Sequence, residues 1–434
     1  MRRGLTLAFL AALVLPAPAW AHATLTKTEP GFAQRVERSP GSVMLRFDQS
    51  VEALPNAIEV YTSKGHVVSG LARTGDDHRT VTVPVRKLAR GGYTVRWRVT
   101  SADSHTVAGV FTFGVRRAAP PATAAFGASG PTDTEHVVRW LYFLALALVA
   151  GALGFRLLVV RGPLPPAAER RFFRLAGLGA VGVIQVGTLA FLLRAEDALQ
   201  LPFGDFIYGD LSPLAKMRFG LAFMAMTLGF ALVSALLFLA WLTDRRVLLW
   251  PALLLALGFA SGLSLSGHSA ADSGSSWLSE LADWLHLSAA ALWVGGLVQL
   301  AFVVWPLAPE LRRVAFLRFS KLATVLIAVL LSAGIYLSVL RLPRLSDLWT
   351  AGYGQVLLVK LGLVSVALLW GAAHHFVVRP ALERGAPLFA GLPRSLIGES
   401  AVGMAILLAA AILVESKPPP QPASPSVALH APAP

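Results

Sequence analysis

The sequence predicts two structural classes in one chain: an N-terminal all-β sandwich or barrel, then a C-terminal all-α polytopic membrane bundle of about eight transmembrane helices. Three observations carry this. The 434-residue chain is 55% hydrophobic and only 14% charged, where an ordinary soluble domain has about 25% charge. Before residue 116 the apolar residues alternate at period two, as half-buried strands do. After residue 136 they run in long blocks of the roughly 20 residues that cross a bilayer.

Residues 1–21 read as a secretory signal peptide. Arg2 and Arg3 precede an apolar run, Leu5 to Leu15, and the small-x-small triplet Ala19-Trp20-Ala21 closes it. Cleavage after Ala21 makes His22 the first mature residue. Its α-amino group and its imidazole then chelate one metal ion, because a metal displaces the proton of an amine with pKa about 7.7–8.0 near neutral pH. The alternative is that His22 merely happens to follow the cut.

Residues 22–116 form the β domain. Val43, Leu45 and Phe47 alternate, as do Tyr93, Val95, Trp97 and Val99, then Phe111, Phe113 and Val115. Turn signals at Ser39-Pro40-Gly41, Lys64-Gly65, Gly75-Asp76-Asp77 and Gly91-Gly92 separate the strands. Asp103 and His105 are two apart, so on an extended segment they emerge on one face. Joined to His22 they make a nitrogen and oxygen donor set. That set suits Cu(II), with Zn(II) the competitor. A polar turn is the other reading of Asp103 and His105. His66 and His78 lie in turn-like segments and read as solvated. The chain has no cysteine, which excludes a disulfide framework and thiolate metal sites.

Residues 117–135 are rich in Ala, Pro and Gly and read as a linker. The membrane domain follows over 136–416. Its apolar spans are expected at 137–160, 172–193, 217–242, 247–267, 279–305, 320–340, 355–378 and 396–415. Loops after the odd spans carry Arg161, Arg170, Arg171 and Arg174, then Arg245 and Arg246, then Arg312, Arg313, Arg318 and Lys321, then Arg379, Arg384 and Arg394. By the positive-inside rule these loops are cytoplasmic and the β domain is outside. The net charge of +14 is therefore topological and does not call for a nucleic-acid partner. The Pro-rich tail, 417–434, reads as disordered.

Ionisable residues inside spans are costly and mark pathways. His268 falls at the outer end of span four. Asp283, His286 and Trp293 share one face of span five, at spacings of three and seven. His268 and His286 should lie at similar depth, as an entry for metal. The alternatives are an interfacial His268 and a His286 that bonds between helices. Lys360 reads as snorkelling. His374 and His375 read as an exit site or, more simply, as interfacial residues beside Arg379. Met224, Met226 and Met404 read as packing residues, and the glycines of GLGAVGVIQVG as helix-packing contacts.

Two resemblances sharpen this. HATLTKTEP, PGSVMLRFDQSVEA and GGYTVRWRVTSADSHTVAGVFTFGV resemble the CopC family of periplasmic copper-binding proteins. The resemblance implies an Ig- or cupredoxin-like barrel and a Cu(II) site of His22, Asp103 and His105. Ser104 replaces the family's glycine, and Met44 is the one methionine of the mature domain, which implies a site for Cu(II) alone. GHSA, DWLHLSAAALWVGGL, RFSKLATV, TAGYGQVLLVK and RSLIGES resemble the CopD family of copper-resistance membrane proteins. The joint resemblance implies a bacterial inner-membrane protein that captures periplasmic Cu(II) and moves copper, as Cu(I) or Cu(II), inward. Its expected partners are copper ions, the lipid bilayer and other periplasmic copper carriers. No G-x-x-x-x-G-K-[ST] loop is present, so transport is expected to be passive or coupled to an ion gradient. The alternatives are a periplasmic copper buffer or sensor on a membrane anchor, and a copper oxidase-type enzyme. The aspartate ligand, by occupying coordination space, argues against the enzyme.

Overall fold

The computed structural model describes residues 23, 25–54, 56–101, 106–120, 133–199, 218–265, 277–342, 344–387 and 391–416. The β region has nine strands in the described residues: β1 (Leu25–Glu29), β2 (Arg35–Val36), β3 (Ser42–Phe47), β4 (Val51–Glu52), β5 (Ile58–Thr62), β6 (Arg73–Thr74), β7 (Thr80–Pro84), β8 (Gly91–Ser101) and β9 (Thr106–Val115). They build two sheets. One has the order β1-β3-β7-β6; the other has β2-β9-β8-β4, with β5 also on β8. The alternation works as expected. Val43, Leu45 and Phe47 point inward, as do Val95, Trp97 and Val99, while Arg46 and Arg96 are exposed between them. Phe47 of one sheet meets Trp97 of the other edge-on, ring centroids 5.5 Å apart. A fully buried phenylalanine of this kind contributes about 1.5–3 kcal/mol. Gly109 sits opposite Trp97 in the β8–β9 register, and a side chain there would collide with the indole.

Two turn expectations differ in outcome. Gly65 takes a left-handed φ of 80° and donates back to the Thr62 carbonyl, a true turn. Gly91-Gly92, expected as a turn, instead opens β8, with Gly92 opposite Gly114. The reason is close approach. The chain leaving β9 folds back so that Pro120 and the Arg117 backbone fill the space a Cβ would take at Gly92 and Gly114. His66 and His78 are exposed, as expected. At the neighbouring turn, Asp77 accepts bonds from the Thr80 hydroxyl, 2.8 Å, and from the Arg79 and Thr80 amides. The Thr80 hydroxyl, first among these, holds its carboxyl below the usual carboxylate range. The stability this adds is present above the unfolded pKa and is lost as pH falls through the lowered one.

Among the described residues eight long helices follow: α1 (Asp133–Gly154), α2 (Pro166–Leu199), α3 (Arg218–Thr243), α4 (Leu249–Leu265), α5 (Trp277–Gln299), α6 (Arg312–Arg341), α7 (Gly352–Ala373) and α8 (Leu392–Glu415). Seven of the corresponding apolar stretches are long enough to cross a membrane; α4, over its described residues, is shorter. Several helices outrun the expected spans. α2 and α6 begin 6 and 8 residues early (172 − 166 and 320 − 312), because arginine-bearing turns extend each beyond its apolar block.

α1 and α5 form the centre. Neighbouring helices bury 78% and 72% of their apolar stretches, against 11–39% for the other five. Small residues allow this. Gly151 of α1 and Gly295 of α5 touch backbone to backbone, and a Cβ at Gly295 would strike the Ala147 carbonyl. Such contacts hold helices together in lipid, where no hydrophobic gain separates protein from solvent. Gly179 of α2 packs against the α1 backbone at Ala145 and Val149 in the same way. Met226 is buried and Met224 exposed, as their divergent positions require.

One end of the bundle is closed by arginines. α1, α5 and α7 each run into a π-helical turn, at Phe155–Val159, Leu300–Val304 and His374–Val378. A helix end leaves carbonyls without intrahelical donors, and lipid offers none. Arg171 donates to the Phe302 carbonyl at 3.0 Å, Arg318 to Val159 at 3.1 Å and Arg312 to Trp305 at 2.6 Å. Arg156 reaches the Val160 carbonyl and Arg313 that of Leu382. Basic residues at this end thus cap backbone carbonyls of the spans.

Gly295→Val should destabilise the bundle by about 3 kcal/mol or more, as overpacking at an immovable backbone does. Gly177→Ala, where a Cβ meets nothing within 4 Å, should be neutral or stabilise by up to ~1 kcal/mol. Thermal unfolding midpoints in one detergent would check the pair.

Candidate functional site

His22, Asp103 and His105 lie outside the described residues, but their anchors are described. Ala23 is buried in the same apolar cluster as Phe47, Val51 and Val99. Leu25 opens β1 opposite Phe47, and Ser101 closes β8 opposite Val51. Residues 47–51 therefore step from one sheet to the other at this end of the sandwich, over at most about 14 Å. Within that step Gln49 is 1% exposed, and neither atom of its side-chain amide has a partner among the described residues. A buried amide in that state needs an explanation. Sequence reading missed it, because a glutamine in DQS looks like any polar turn residue until its burial is known.

In the bundle, His268 also lies outside the described residues. Asp283, His286 and Trp293 all sit on α5. His286 is half-buried, its Nδ1 3.1 Å from the Leu330 carbonyl of α6. Gly334 leaves room for the ring, since a Cβ there would come within 3.1 Å of it. Lys360 lies within electrostatic range of both His286 and Asp283, and Arg341 joins this group. Lys360 itself is half-buried on α7. Trp293, two turns further along α5, is 5% exposed, and its indole N–H has no partner among the described residues.

Trp293 does not stand alone. It lines a cavity of about 210 Å³ together with His374, His375 and Glu399. His374 is buried, contrary to the interfacial reading; only His375, 3.4 Å from Arg379, fits that description. The His374 Nδ1 lies 2.9 Å from the Glu399 carboxylate of α8. Its Nε2 is 2.9 Å from the Ser395 hydroxyl, which also accepts the Trp370 indole N–H at 2.8 Å. Glu399 was legible in principle. It is a carboxylate within the apolar run of span eight, the costly kind of residue that marks a pathway. No group of three or more metal-binding side chains occurs among the described residues.

The serine is the pivot of this cluster. Ser395→Ala should leave Trp370 and His374 each short of a partner and cost about 1–3 kcal/mol. Ser365→Ala, on an exposed face of α7, should stay within about 0.5 kcal/mol. Unfolding midpoints of the two variants in detergent would decide.

Known families match most of the chain. A CopC domain model matches residues 25–116. A model described as copper resistance protein D-like, N-terminal domain, matches 134–279, and one for copper resistance protein D matches 313–413. The copper transport protein CutJ of Bacillus subtilis (strain 168) is 29% identical over 433 residues, covering 94% of this chain and 76% of its own length. Protein YobA of Escherichia coli (strain K12) is 32% identical over 113 residues, 25% of this chain and 91% of YobA. Copper resistance protein D of Pseudomonas syringae pv. tomato is 33% identical over 163 residues, 35% of this chain and 51% of its own. CutJ and copper resistance protein D are named for copper transport and copper resistance. The chain is a multi-pass membrane protein with a β domain before the bundle, and it belongs to the copper transport and resistance family that joins a CopC domain to CopD-type membrane domains.

Proposed function

We propose that this protein captures Cu(II) outside the membrane at His22, Asp103 and His105. Copper then passes inward through the bundle by way of His268, Asp283, His286 and Trp293. The carrying observation is that α5, one of the two most buried spans, bears Asp283, His286 and Trp293, and that Trp293 opens on a cavity holding two histidines and a glutamate. From His286 to Trp293 is about 10 Å along the helix axis, a short step between polar stations. In the β domain, the orphaned Gln49 amide supports a ligand set at that end. A buried amide has donors and an acceptor to meet, and groups that hydrogen-bond to metal ligands hold those ligands in place. The signal peptide and the arginine-rich ends of the odd spans support an outer β domain and inward movement. Other periplasmic carriers would supply the ion. The chain to residue 135 tethers the capture domain to the bundle and raises the local concentration of copper at its mouth.

Purified protein in copper-free liposomes should take up added copper well above empty liposomes, and His286→Ala should slow the initial rate by about tenfold. Equal uptake with and without the protein would remove the transport reading and leave the buffer or sensor.

A further inference from the structure

α2 shows the bundle one face and the lipid another. Ala176, Ala180 and Val183 are fully buried, and Gly179 and Gly187 lie against α1 and against Met226 of α3. The rest of the helix looks outward, since only 28% of its apolar stretch is buried. Leu178 is 66% exposed, Val181 49% and Leu189 44%. Gln185 is exposed among them.

The depth of Gln185 makes that exposure costly. It stands 11 residues from Arg174 and 9 from Arg194 (185 − 174 and 194 − 185), the nearest charged positions on α2. About 16 Å and about 14 Å of helix separate it from them. Those lengths put it near the centre of a hydrocarbon core about 30 Å thick. A carboxamide carries two N–H donors and a carbonyl acceptor, and acyl chains satisfy neither. Other exposed polar residues of the spans are satisfied by their own helix: Thr324 and Ser365 each donate to the carbonyl four residues back. Gln185 makes no hydrogen bond among the described residues.

The spacing around Gln185 is a second, independent observation. Leu178, Val181, Gln185, Thr188 and Leu192 follow one another at intervals of three, four, three and four. That is the repeat of a coiled-coil seam, and all five positions are exposed or half-buried. Such a seam fits a second helix crossing at about 20°. A single polar residue within it fixes the register. Two copies of one chain enter the membrane with the same orientation, so α2 and its copy run parallel. In register, each Gln185 then faces the other. The amide of one copy donates to the carbonyl of its partner and accepts in return, so a second copy supplies what lipid lacks at that depth.

We propose that α2 is the contact face of a parallel homodimer, packed along Leu178, Val181, Gln185, Thr188 and Leu192. Reciprocal hydrogen bonds between the two Gln185 amides hold it in register. The contact is isologous, with its two-fold axis along the membrane normal. It does not depend on whether the protein moves copper.

The chain has no cysteine, so a single introduced thiol reports alone. The full mature chain carrying Val181→Cys, in liposomes with a thiol oxidant, should give a disulfide-linked dimer. Leu369→Cys, 74% exposed on α7, should give several-fold less. Counting photobleaching steps of labelled protein over a range of lipid dilutions measures the association itself. There Gln185→Leu should weaken self-association about tenfold, and Gln185→Asn, which keeps the amide, should recover part of the loss. Single bleaching steps for the unaltered protein at every dilution would mean that lipid alone covers this face, and would overturn the proposal. So would cross-linking from Leu369→Cys as strong as from Val181→Cys, or a Gln185→Leu protein that associates as tightly as the unaltered one.

Discussion

The bundle depends on the backbone contact between Gly151 of α1 and Gly295 of α5. In lipid, apolar side chains gain little from meeting one another, so helices associate where small residues let backbones approach. That contact makes α5 an interior helix. Once interior, α5 can carry Asp283, His286 and Trp293 away from the acyl chains, which a peripheral helix could do only at high cost. Gly334 then admits the His286 ring between α5 and α6, and Trp293 faces the cavity that α6, α7 and α8 complete. Polar chemistry in this protein is a consequence of close packing elsewhere.

The same rule operates at the arginine-rich end. Three spans pass into π-helical turns, and guanidinium groups from the first turns of α2 and α6 reach carbonyls in the turns that follow α1 and α5. A single residue type thus serves two purposes. It biases orientation across the bilayer, and it satisfies backbone groups that neither helix nor lipid can satisfy. Replacing such an arginine by lysine would keep the charge but lose the planar fork that spans these gaps.

Much of the architecture was legible because its signals are periodic. Val43, Leu45 and Phe47 announce a strand by alternation, and each apolar block announces a span by length. What escaped depends on proximity between distant segments, which no local pattern encodes. Gly91-Gly92 reads as a turn until Pro120 is found packed against it. Gln49 gives no local signal of the burial that the crossover between sheets imposes on it. His374 reads as interfacial until Glu399, twenty-five residues on (399 − 374), is found beside it. The lengthened ends of α2 and α6 escaped for another reason: hydropathy reports the apolar block and is blind to helix that continues in charged residues.

The proposed capture site is a product of processing. In that proposal, removing the leader creates the amine that joins the His22 ring on the ion, and Asp103 and His105 complete the set. The most direct measurement is the Cu(II) EPR spectrum of the mature protein beside that of a variant carrying one added residue ahead of His22. The account predicts different nitrogen hyperfine patterns and weaker copper retention in the extended chain. Identical spectra and equal retention would contradict it.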